Sequence, residues 1–149
     1  MKRILSLVLA CTLILGCAFA LASCGAKPNS DPKAAADALK AAGYEVDYEI
    51  YEEAEDDGLV AEVEAMKMDA DLSEIENAED LKDVKVDVIT IAYYETEEAA
   101  KKAHEELEAN FDKLIEGSKE YYGDSFEAEL GISGKVVWMG TQAAIKAAK

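Results

Sequence analysis

His104 and Glu108 stand one helical turn apart, a spacing at which an imidazole and a carboxylate can share a metal ion or a proton. No third ligand is identifiable beside them, and a lone histidine on the edge of an apolar helix stripe reads first as a packed one. Asp69, Asp71, Ser73 and Asp80 place oxygen side chains within twelve positions, the donor type a hard cation prefers. Paired carboxylates could also hydrolyse a glycosidic bond, but with 32 acidic residues any pairing is uninformative from sequence. The only arginine is Arg3, which removes the usual bidentate clamp for phosphate or carboxylate. No serine lies in a nucleophile-elbow motif, and no glycine-rich phosphate loop is present. The expectation is therefore no enzyme, no catalytic residue, no metal and no cofactor.

The Asp69 segment partly resembles the EF-hand calcium loop. Glu74 stands where that loop needs glycine for its sharp turn, and Asp80 is shorter than the usual closing glutamate. The same residues serve as helix punctuation, with Ser73 as N-cap and Glu76 closing a capping box. His104-Glu105-Glu106-Leu107-Glu108 resembles the start of the zinc-protease HExxH helix, but Glu108 replaces the second histidine.

Lys2 and Arg3 precede an apolar run from Ile4 to Ala22, the charged start and apolar middle of a secretory signal. Leu21-Ala22-Ser23-Cys24 resembles the bacterial lipobox, with an aliphatic residue, two small residues and a cysteine. The resemblance implies cleavage between Ser23 and Cys24 and a diacylglyceryl thioether on Cys24. Ile14-Leu15-Gly16-Cys17 fits less well, because bulky Leu15 occupies a small-residue position and more apolar sequence follows. The implied organisation is a signal peptide over 1–23, a lipidated cysteine with its tether over 24–31, and one domain over 32–149. The six residues from Gly25 to Ser30 would reach about 20 Å when extended. The location implied is the outer side of the cytoplasmic membrane, attached by lipid.

The full chain carries a net charge of −17. Removing Lys2 and Arg3 from the 15 basic residues leaves 13, all lysine, against 32 carboxylates, or about −19. Such a net charge disfavours direct contact with nucleic acid or anionic lipid headgroups and favours solubility, cations or a basic partner. All three cysteines lie in the export region, so the domain must hold without disulfides.

The elements follow from local pattern. Asp31-Pro32 caps and starts a helix that Gly43 ends, from about Pro32 to Ala42. Tyr44, Val46, Tyr48 and Ile50 alternate with acidic residues, as do Leu59, Ala61, Val63 and Ala65, which is the signature of half-buried strands. Met66 and Met68 fall out of that phase, so a bulge or strand end is expected near Ala65. The stretch from Val84 to Tyr94 is apolar on both faces and should be central. Thr96 caps a long helix carrying Ala100, Ala103, Leu107, Phe111 and Leu114, continuing to Gly123. Phe126 to Ile132 alternates before a Ser133-Gly134 hairpin, and Thr141 caps a last short helix. The fold expected is α+β, a mainly antiparallel sheet of about five strands with a long helix and two short helices packed on it.

A turn at Ser133-Gly134 pairs Leu130 with Val137 and Glu129 with Trp138. Trp138 then shares a face with Ile89, Ile91 and Tyr93, away from Leu130 and Ile132. If the long helix covers only the Leu130 face, these four residues form an exposed binding patch bordered by glutamates, for a protein partner or a second copy of the chain. If an alanine-rich helix covers it instead, Trp138 is core. The function expected is a noncatalytic, membrane-anchored interaction module; the alternatives are a homodimerising envelope protein and a small carboxylate hydrolase.

Overall fold

The computed structural model describes residues 26–52, 54–68 and 84–149. The expected signal segment with Cys24, and the segment from Asp69 to Asp80, lie outside the described residues. Helix α1 spans Pro32–Ala41. The Asp31 carboxylate accepts the Ala34 N–H at 2.7 Å, and Pro32 sits at the first helical position, where its missing N–H costs nothing. Gly43, at φ +85°, turns the chain out of the helix into strand β1, Glu45–Ile50. Strands β2, Leu59–Met68, and β3, Val86–Tyr94, follow. Helices α2, Glu97–Glu108, and α3, Phe111–Tyr122, lead to the hairpin of β4, Glu129–Ser133, and β5, Val136–Gly140. Helix α4, Gln142–Ala147, is capped by Thr141.

The five strands form one sheet in the order β1-β2-β3-β5-β4, every neighbouring pair antiparallel. The fold is α+β, as the patterns imply. β3 is the middle strand, and its two apolar faces serve two separate cores. On the first face, Ala61, Val63, Ala65, Ile89, Ile91, Tyr93, Val136 and Trp138 pack beneath α1 and α4. On the second, Tyr94, Val137, Leu130 and Ile132 pack with Ala100, Ala103 and Leu107 of α2.

The expected long helix is two helices. Asn110 is buried between them at φ −118°, ψ 3°, where its N–H still reaches the Leu107 carbonyl and its own carbonyl accepts from Leu114 to start α3. An asparagine competes poorly for helix interior, and here it ends one axis and begins another. The expected irregularity near Ala65 is also absent from that place. Ala65 pairs in register with both Val46 and Ile89, and the register shift lies between Leu59 and Ala61. Met66 and Met68 need no bulge, because they lie opposite Val88 and Val86 on the second face.

The hairpin loop is Gly134-Lys135, one residue later than expected, with Gly134 at φ +60° in the first loop position, where the tight hairpin turns require positive φ. Ser133 therefore pairs with Val136 and Gly131 with Trp138. A one-residue displacement of the loop moves the pairing by two, which preserves which residues share a face.

Candidate functional site

The four residues expected to form an open patch are core. Ile89 is 2% exposed, Ile91 0%, Tyr93 5% and Trp138 8%. Ile91 and Trp138 are direct cross-strand partners, so the expected cluster does assemble. It assembles under a roof. Ala35, Ala36 and Leu39 of α1 and Ala144, Ile145 and Ala148 at α4 close the face. Alanine-rich helices bring little apolar area of their own, yet their short side chains let the helix backbone come close enough to bury large sheet residues. Tyr93 also finds a polar partner, its hydroxyl donating to the Asn29 carbonyl at 3.0 Å.

Among the described residues, no helix packs on the second face of β1 and β2: α1 packs on these strands from the first face, while α2 lies mainly across β4, β5 and β3. On the second face Glu49 lies directly opposite Glu62, and Asp47 directly opposite Glu64. Asp47 and Glu49 are exposed, whereas Glu62 and Glu64 on the inner strand are half-buried. Facing carboxylates repel, and like charges directly opposed in a sheet are destabilising. Burial, then the neighbouring charges of Glu62 and Asp47, push the Glu64 carboxyl up to about 7. Glu62 is raised for the same reasons, by burial and then by Glu49, Glu55 and Asp57. Burial followed by Glu62 and Glu49 pushes the Tyr51 hydroxyl to about 12, and burial followed by Asp57 and Glu62 takes Tyr94 to about 12.

This ladder can receive positive charge. Its carboxylates accept hydrogen bonds from ammonium or guanidinium groups, and a cation between opposed pairs relieves both repulsions. Among the described residues, no group of three histidine, cysteine or carboxylate side chains is arranged to hold a metal ion. Across the ladder, Thr90 and Ala92 of β3 lie opposite Glu64 and Glu62. The acidic phase of each strand is readable in the sequence. The opposition of Glu49 to Glu62 and Asp47 to Glu64 is not, because it depends on a register set across a loop of eight residues.

His104 and Glu108 do meet, Nδ1 to Oε2 at 3.8 Å, with both side chains largely covered. They make one pair within α2. An open depression of about 680 Å³ lies between α3 and the segment before β4, lined by Phe111, Ile115, Lys119, Phe126, Glu129 and Gln142. Gln142 there donates to Glu129 at 3.3 Å, and Asp112, Glu116 and Glu127 also border the depression.

The residues expected to form the tether are partly docked. Asn29 donates its N–H to the Ala148 carbonyl at 2.7 Å, Pro28 is buried, and Ala26 packs against the first core. No described helix is long and apolar enough to cross a membrane. Comparison of the chain with models of known protein families, with characterised proteins and with solved structures finds no match.

Proposed function

We propose that the protein is a noncatalytic interaction module, anchored outside the cytoplasmic membrane through a lipid on Cys24, that presents the β1–β2 carboxylate ladder to a basic protein segment. The observation that carries this reading is the direct opposition of Glu49 to Glu62 and of Asp47 to Glu64 on a sheet face that no described helix covers. Four carboxylates held at strand spacing cost the free domain stability, and a lysine- or arginine-rich partner recovers that cost on binding. The geometry also argues against self-association through this surface, since two copies would bring like charge to like charge. The homodimer alternative loses its apolar patch, because Ile89, Ile91, Tyr93 and Trp138 are covered within one chain.

The test is a titration of the soluble domain with a lysine-rich peptide at several salt concentrations. Replacing Glu62 and Glu64 by Gln should weaken binding at least ten-fold, while Glu120→Gln with Asp124→Gln, an equal change in charge at exposed sites, should leave it within two-fold. Equal losses from both pairs would mean that the peptide reads net charge alone, and would remove the ladder as a recognition surface.

A further inference from the structure

We infer that the anchored domain docks one corner, the β4–β5 hairpin with Lys27, Lys135 and Lys149, on the phosphates of anionic phospholipids. This rests on the lipid-anchor reading above and specifies how the anchored domain sits.

The argument begins with chain length. A tether of six residues would let the domain stand off from the bilayer, but residues 26–31 are occupied. Asn29 is fixed from two sides, by its N–H to the Ala148 carbonyl at 2.7 Å and by the Tyr93 hydroxyl to its carbonyl at 3.0 Å. Its own side chain accepts the Asp31 N–H at 3.0 Å, which leads into the cap of α1. Lys27 reaches the Ser133 hydroxyl at 3.4 Å. Only Gly25 separates Cys24 from Ala26, which packs on the core. Two residue steps span about 7 Å, against a radius of gyration of about 14 Å for a domain of this size. The domain cannot stand clear of the headgroups.

Which corner meets them follows from the path of the tail. Followed backwards from α1, it passes Tyr93 on β3, borders Val136 on β5 and reaches Ser133 on β4. It therefore leaves the domain beside the hairpin. There Lys27 and Lys149 border one open depression with Ser133 and Val136, and Lys135 occupies the exposed turn. The Glu97 carboxylate also approaches this corner, at the turn residue Gly134. Three of the 13 lysines that follow the lipobox gather at this corner of a strongly acidic chain. The carboxylate ladder lies on the other face of the sheet and toward the other edge, about 14 to 19 Å from β4 by strand spacing. Lipid phosphate attracts the first corner and repels the second, so lipid attachment and charge favour the same orientation.

The experiment uses the full lipidated protein in vesicles carrying a headgroup nitroxide. Because the described domain contains no cysteine, Ser30→Cys, at an exposed uncharged position in the same depression, and Asp47→Cys each give one site for a fluorophore, and circular dichroism confirms their folding. In vesicles containing phosphatidylglycerol, the label at 30 should be quenched at least five-fold more than the label at 47. Lys27→Glu with Lys149→Glu should reduce that ratio at least two-fold, as should a ten-residue Gly-Ser insertion after Gly25. Equal quenching at the two positions, or the same ratio in pure phosphatidylcholine vesicles, would overturn the docking and leave the anchor standing. An intact mass showing no lipid on Cys24 would overturn both.

Discussion

The indole ring of Trp138 lies across Gly131, its cross-strand partner, and fills the space a side chain at 131 would occupy. A Cβ placed on Gly131 would overlap the ring carbons Cζ2 and Cε2. Because the ring is itself held beneath the helices of the first core, it has little room to yield.

A graded series of glycine substitutions follows. Gly131→Ala should cost about 1 to 3 kcal/mol, the range for forcing extra volume into a packed core. Gly140→Ala should cost more, because its Cβ would stand 2.5 Å from the Val88 carbonyl oxygen and 2.8 Å from the Ile89 Cα, and backbone cannot rotate away. Gly117 in α3 has nothing within 4 Å, so Gly117→Ala should stabilise by about 0.5 to 1 kcal/mol through helix propensity. Urea midpoints of the three variants check the order.

Trp138→Ala should cost about 3 to 5 kcal/mol, the loss typical of a large buried aromatic. The fluorescence of Trp138, the sole tryptophan, should resist a soluble quencher in the wild-type domain. Ready quenching with a small stability loss would place the ring at the surface.

Stability should fall as pH rises from about 4.5 to about 7, opposite to the usual behaviour of paired carboxylates. Glu64 titrates near 7 in the folded chain against 4.5 for a free glutamate, so in this window the folded state holds a proton that the unfolded state has lost. Glu64→Gln should flatten this slope. At pH 8 it should stabilise the domain by about 1 kcal/mol, after allowance for solvent screening. Thermal melts at pH 5 and pH 8 for both proteins measure the difference.

Much of the fold is legible in short-range chemistry. Asp31-Pro32, Thr96 and Thr141 are caps by residue type, and each accepts the N–H three residues on. The two-faced pattern of Val86 to Tyr94 places β3 at the centre, and hairpin parity puts Trp138 beside Ile91 even though the loop begins one residue later. What local pattern does not carry is cover and register. Ala35, Ala36 and Ala144 give no strong hydrophobic signal, so the roof over Ile89 and Trp138 cannot be read from them. The stripe Leu107, Phe111, Leu114 keeps helical spacing straight through the break at Asn110. The carboxylate ladder appears only once β1 and β2 are aligned.

The anchor is the claim on which location, orientation and partner access depend. The measurement that tests it most directly is mass spectrometry of the amino-terminal peptide of the protein extracted from its native membrane. The account predicts Cys24 as the first residue, its sulfur carrying a diacylglyceryl group, with the segment up to Ser23 absent and Cys24→Ala accumulating as unprocessed precursor. An unmodified Cys24, in a chain that retains the residues before it, would contradict the account.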